Sequence, residues 1–162
     1  MALGLVGISY PWIETTSLAK TILLKLIQNS ELLEVTSLFK RRSQSGSDFE
    51  STIEMVAAVS TEKAKVEFAS RLHEIAKEII KRREDSQVSI KLLLYDQEVI
   101  MTPELTLPHP DLQYDLLTLR LSSEVWSRYE HPVLKKTLRE LSDLRGQELD
   151  VEFVMQAKNL FD

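Results

Sequence analysis

Up to Tyr95 the chain alternates between two hydrophobic periods, and the order in which it does so constrains the fold more than any other feature. Leu3-Gly4-Leu5-Val6-Gly7-Ile8-Ser9 is a short apolar run stopped by Tyr10-Pro11, the profile of a strand buried on both faces. Leu18, Ile22, Leu23 and Leu26 follow at helical spacing. Thr15 or Thr16 is placed to accept an orphan N–H at the start of that helix, and Asn29-Ser30 ends it. Leu33, Val35, Ser37 and Phe39 then alternate with Glu34, Thr36 and Leu38, which predicts a strand. Beyond the polar turn segment Ser43–Asp48, Ile53, Met55, Ala57 and Val59 face one way in another strand, with Glu50, Thr52 and Glu54 facing the other. The short loop implies an antiparallel pair. A long helix is predicted from Ser60 or Thr61, with Glu62 and Glu67 favoured by its N-terminal dipole and Phe68, Leu72, Ile75 and Ile79 on its core face. Val88, Ile90, Leu92 and Leu94 give the next strand. Its run Leu92-Leu93-Leu94 is apolar on both faces and predicts a place in the sheet's centre.

That order, β-α-β-β-α-β, is the ferredoxin-like arrangement: an α+β fold with an antiparallel sheet and both helices on one face. A length of 162 residues fits a single domain, with the core over 1–96 and a helical and strand appendage over 97–162. In the appendage, Pro103, Pro108 and Pro110 predict a loop over 101–111, and Leu112 to Trp126 reads as mostly helical. Pro132 at a first-turn position, Leu134, Leu138, Leu141 and Leu144, and a stop at Gly146 predict a second helix. Leu149, Val151, Phe153 and Met155 predict a last strand.

Charge and composition exclude several chemistries. With 20 Lys+Arg against 25 Asp+Glu, the net charge of −5 argues against a nucleic-acid binder. The basic triplets Lys40-Arg41-Arg42 and Lys81-Arg82-Arg83 read as solvated ends of elements, with the capacity for a local phosphate contact. The absence of Cys removes a disulfide framework, a thiol nucleophile and any Cys-based zinc site. The apolar start, Met1 to Ile13, is too short to span a membrane and has no basic n-region, so the expectation is a cytoplasmic protein with no membrane partner. The four glycines form no phosphate-binding loop. Of three histidines, His73 reads as a surface or half-buried helix residue and His131 as a turn residue. His109, fixed between Pro108 and Pro110, reads equally as a presented functional group or as structure. Asp96 with Glu98, and Asp150 with Glu152, place carboxylates on one strand face, as a metal pair requires and as a solvated edge also gives.

One stretch carries more than periodicity. Val88-Ser89-Ile90-Lys91-Leu92-Leu93-Leu94-Tyr95-Asp96-Gln97-Glu98-Val99-Ile100, then Leu105-Thr106-Leu107-Pro108-His109-Pro110-Asp111, resembles the hydroxymethyldihydropterin pyrophosphokinases of folate biosynthesis. In that family an apolar strand, a turn and Glu-Val-Ile precede Leu-x-Val-Pro-His-x-x-Met. Upstream, Val6-Gly7-Ile8-Ser9 sits at the family's opening strand and Gly-Ser-Asn, and Val35-Thr36-Ser37-Leu38-Phe39 matches Val-Ser-Ser-Phe-Tyr. Phe49 to Val59 sits at Phe/Tyr-Leu-Asn and the apolar strand after it. The likeness covers most of residues 3–126.

The resemblance implies the ferredoxin-like fold and, for a full member, transfer of a pyrophosphoryl group from ATP to the pterin's hydroxymethyl group with Mg²⁺ neutralising phosphate charge. The family's metal-holding Asp-x-Asp falls at Ser89 and Lys91. A lysine there repels Mg²⁺, while its ammonium can itself meet a phosphate. The pterin-reading Asn falls at Ser51 or Ile53, the stacking aromatic at Leu117 and an ATP-binding Arg at Asp115. The long Arg- and Trp-containing catalytic loop shortens to 81–86, from which Arg82 and Arg83 remain. His109 alone matches a family functional residue, one that contacts ATP phosphate. The departures imply a divergent member that has lost the transfer and requires no cofactor or metal. Its expected ligand is an anionic or nucleotide-like small molecule on Lys91 and His109, with Ser89, Arg82 and Arg83 as further candidates. A protein partner at an exposed sheet edge or at the Leu134–Leu144 helix is a further expectation. The alternative is an active enzyme using ATP and Mg²⁺, its metal site rearranged around Asp96, Glu98 or Asp115.

Overall fold

Side chains alternating along the first strand, β1 (Ala2–Pro11), feed two separate cores: Val6, Ile8 and Tyr10 enter one and Leu5 the other. In the computed structural model, residues 1–45, 47–48, 50–82, 87–146 and 149–161 are described, with backbone alone for 14–17 and 81–82. β1 pairs antiparallel with β4 (Thr52–Thr61) on one side and β5 (Ser89–Tyr95) on the other. The sheet continues from β4 to β3 (Leu38–Arg41) and β8 (Val151–Met155), while β2 (Glu31–Val35) also pairs with β4; every pairing is antiparallel.

Helices α1 (Thr15–Asn29) and α2 (Lys65–Arg82) cover the same face, as expected. Leu18, Ile22, Leu23 and Leu26 of α1 and Phe68, Leu72, Ile75 and Ile79 of α2 are all buried in the first core. α2 comes close to the sheet over Gly4, where a Cβ would lie 3.3 Å from Val59 Cγ2 and 3.5 Å from Phe68 Cε2. The opposite face is closed by the appendage. Leu117, Leu119 and Leu121 of α4 (Leu116–Val125) and Leu138 of α5 (Leu138–Arg145) pack on Val56, Ala58, Leu93 and Leu94. Among the described residues, no helix is long and apolar enough to cross a membrane.

Five local expectations are corrected. The single strand over 33–39 is two, β2 and β3. A register shift between Leu32 and Glu34 turns the chain over, and Thr36 replaces the ladder by pairing its N–H and its hydroxyl with Val56 (both 2.9 Å). Leu38 is therefore buried and Leu33 half exposed, the reverse of the simple alternation. The helix expected from Ser60 or Thr61 starts at Lys65, because β4 stays paired with β1 as far as Thr61. The Leu92-Leu93-Leu94 strand is an edge strand, not a central one: β5 pairs only with β1 among the described strands. It is apolar on both faces because helices cover both, and a bulge opposite Leu5/Val6 sends Leu93 and Leu94 to the second core while Ile90 and Leu92 enter the first.

The proline-rich loop over 101–111 contains a short ribbon, β6 (Ile100–Met101) with β7 (Thr106–Leu107). Finally, α5 starts not at Pro132 but after Thr137, whose hydroxyl accepts the Glu140 N–H at 3.1 Å. Leu134 thus lies in a turn rather than on the helix expected as an interface. That turn is organised by His131, whose Nδ1 accepts the N–H groups of Val133 and Leu134. Gly146 ends α5 at φ 54°, a backbone conformation in which a Cβ is strained. The proposed cap at Thr15 or Thr16 falls outside the described side chains.

Candidate functional site

Lys91 stands on β5 between two concavities. One is a narrow cleft of about 100 Å³ between the sheet and the helices of the appendage, lined by Ser9, Glu54, Ser89, Lys91, Asp111 and Asp115 among others. The other is a groove of about 530 Å³ on the outer side of β5, between α2 and the β6–β7 ribbon, where Lys91 meets His73, Thr106 and His109. The strand's alternation produces the first grouping, since Ser89 and Lys91 are two residues apart and share a face. The edge position of β5 produces the second, because no further strand among the described residues covers that side.

His109 is fixed at both ends. Its N–H donates to the Leu93 carbonyl at 2.9 Å, which ties the proline loop to the edge of β5. Its Nδ1 accepts the N–H of Asp111 at 3.0 Å, at the start of α3 (Asp111–Tyr114). A ring that accepts at Nδ1 carries its proton on Nε2 when neutral, so the free nitrogen is a donor. Burial holds the imidazole below its ordinary pKa; nearby Asp111 works against this and Lys91 with it. At neutral pH the group offers a neutral N–H. Lys91 Nζ is held by Asp111 Oδ2 at 2.6 Å.

The cleft contains a second ionic assembly. Arg41, on β3, donates to Glu54 of β4 and to both oxygens of Asp115, at 2.7 and 2.8 Å. Asp115 is also the N-cap of α4, accepting from the Leu117 N–H at 3.2 Å and the Thr118 hydroxyl at 3.1 Å. Burial pushes its carboxyl pKa up, but Arg41 and Thr118 outweigh that and hold it below the ordinary value. Arg41 therefore fastens the appendage to the sheet. Sequence reasoning placed it in a solvated basic triplet and Glu54 merely on a polar strand face; only the pairing of β3 with β4 brings the two together.

The expected residues assemble in part. Lys91 joins Ser89 in the cleft and His109 in the groove. Arg83 and the side chain of Arg82 lie outside the described residues, as does Phe49. Asp96, Glu98 and Asp115 are not brought together: Asp96 lies at the far end of β5, Glu98 pairs with Lys65 at 3.4 Å, and Asp115 serves Arg41. Ile53 and Leu117 point into the cores. Asp150 and Glu152 pair with Arg42 at the surface, at 3.4 and 3.3 Å. The ammonium at position 91 has no lone pair to offer a cation, and the neutral hydroxyl at 89 brings no charge to neutralise one, so the pair lacks the carboxylates that grip a hard divalent ion. No group of three or more acidic, His or Cys side chains able to hold a metal exists among the described residues.

His131, like His109, is held below its ordinary pKa by burial. For such groups the stability contribution is complete above about pH 6.5 and drains away as the pH falls through the folded-state values. Thermal denaturation from pH 7.5 down to pH 5 is expected to show falling stability. His131→Asn, which keeps an acceptor for Val133 and Leu134 without the titration, is expected to flatten the slope. A profile level over that range, or a slope indifferent to the substitution, contradicts this.

No protein-family model and no curated protein sequence matches the chain. Solved structures do resemble it in fold. Plasmodium falciparum HPPK-DHPS A437G with SDX-DHP superposes with a TM-score of 0.71 at 11% identity, covering 89% of this chain and 45% of that one. The wild-type P. falciparum HPPK-DHPS with SDX-DHP gives 0.68 at 10%, covering 90% and 44%. An HPPK-DHPS in complex with substrates gives 0.70 at 8%, covering 89% and 43%. The chain thus spans less than half the length of these structures. The resemblance to hydroxymethyldihydropterin pyrophosphokinase holds at the level of the fold.

Proposed function

We propose that this protein is a divergent, cytoplasmic member of the pyrophosphokinase fold that binds an anionic, nucleotide-like group through Lys91 and His109 and no longer transfers pyrophosphate. The observation that carries this reading is the substitution at the metal positions: an ammonium occupies β5 where the resemblance calls for a carboxylate. Losing one transition-state charge partner commonly costs about 3–4 kcal/mol. Losing both metal ligands and the pterin-contacting groups leaves little of the roughly 8–23 kcal/mol an enzyme supplies. What remains favours an anion. The His109 N–H and the Lys91 ammonium line one groove, and a phosphate-type oxygen there gains two donors without a metal.

Isothermal titration with an ATP analogue and with pyrophosphate tests the proposal. Binding is expected without Mg²⁺ and about tenfold or more weaker in Lys91→Met, the loss of one charge-assisted contact. Hydroxymethyldihydropterin with ATP is expected to release no AMP. Mg²⁺-dependent binding of both substrates, with AMP formed, would falsify the reading in favour of an active pyrophosphokinase.

A further inference from the structure

β1 and β5 run from the cleft to a third, separate concavity. Ser9 faces Ser89 at one end of the pair; Gly4 faces Tyr95 at the other. There Leu3, Asp96, Val125, Trp126, Arg128 and Tyr129 border a space of about 540 Å³. That volume is in the range of small-molecule sites, which are concave, mostly apolar and furnished with a few fixed polar groups.

The frame of this space is tied down from several sides. Trp126 caps α4, its N–H donating to the Ser122 carbonyl at 2.9 Å. Tyr129 stacks on it, with ring centroids 5.4 Å apart and planes at 23°. The Tyr129 hydroxyl donates to the Asp96 carbonyl, and burial pushes its pKa up to about 12, so it remains a donor at neutral pH. Asp96 itself sits at φ 47°, a conformation non-glycine residues seldom adopt. It is held there by exchange with Leu3: Asp96 N–H to Leu3 carbonyl and Leu3 N–H to Asp96 Oδ1, both 2.8 Å. Strain maintained by such over-determination collects at binding sites. Arg128 is different. It is exposed and makes no ion pair among the described residues, so its guanidinium is available at this rim.

We propose that this concavity binds a small planar aromatic or heteroaromatic acid, with its ring against the Trp126–Tyr129 stack and its carboxylate on Arg128. A flat ring gains area and offset stacking on the aromatic pair. A guanidinium fork matches a carboxylate in plane and charge. Asp96 has an oxygen committed to Leu3 and serves the frame. The site lies at the opposite end of the strands from Lys91 and His109 and does not depend on the anion site proposed there.

The chain has two tryptophans, so Trp126 is identified in a proton–nitrogen correlation spectrum by its persistence in Trp12→Phe. Indole-3-acetate is expected to shift the Trp126 indole resonance saturably. Affinity is expected to fall about tenfold in Arg128→Gln, and equally when indole-3-acetamide replaces the acid, as for loss of one charge-assisted contact. Lys91→Met is expected to change nothing here. Three results would overturn the proposal: no saturable shift, tighter binding of tryptamine than of indole-3-acetate, or a response that follows Lys91→Met rather than Arg128→Gln.

Discussion

Arg41→Met is expected to destabilise the protein by about 2–4 kcal/mol at pH 7.5. The substitution keeps the aliphatic stem and removes the guanidinium, leaving Glu54 and Asp115 facing each other across the cleft with side chains 13% and 26% exposed. Orphaning a fully buried charge commonly costs about 3–5 kcal/mol. The lower range reflects the 36% exposure of Arg41, which lets water reach the site. The effect has a pH signature. In the variant, Asp115 keeps the burial that raises its carboxyl pKa and loses the Arg41 contacts that lower it. The loss is then largest at neutral pH and shrinks as the pH falls and one carboxyl takes up a proton. Urea unfolding at pH 7.5 and pH 5 reads both quantities. A penalty that stays the same or grows on acidification would remove Arg41 from the role of clamp. Glu54→Gln in the same background is expected to restore part of the loss.

Phe68→Ala is expected to cost more, about 3–5 kcal/mol, by opening a cavity that its surroundings cannot close. Phe68 is fully buried, and its ring edge lies against Gly4, where the absence of a side chain lets α2 approach β1. The backbone at Gly4 is pinned by pairing to both β4 and β5, so the sheet cannot move in to fill the space. Val66→Ala, two residues earlier on the same helix and half exposed, is expected to stay within about 0.5 kcal/mol. Denaturant unfolding compares the two. Similar midpoints would mean that the close approach at Gly4 contributes little to the core.

The strand and helix order was legible because each element repeats its apolar positions on a single period. The spacing of Leu18 to Leu26 and of Phe68 to Ile79 alone assigns them to the core. Boundaries failed where tertiary pairing overrode a local signal. Ser60 and Thr61 look like helix starts, but they are also the partners of Leu3 and Ala2. The edge position of β5 was hidden because a strand covered by helices on both faces has the same composition as one in mid-sheet. At the site, His109 and Lys91 could be singled out from a motif. Arg41, Glu54 and the opposite concavity could not, since each depends on residues from three or more distant segments with no spacing in common.

Lys91 has a single ammonium, paired with Asp111, for which the proposed anion would compete. Its pair with Asp111 neutralises the narrow cleft on that side; under the proposed anion binding the ammonium would be shared with the outer groove and Asp111 would lose part of its counter-charge. Occupancy of the groove should therefore make the cleft more receptive to a cation. Thermodynamic reciprocity then requires a cation bound beside Asp111 to strengthen anion capture by the same factor, as an aid to binding and not a requirement for it.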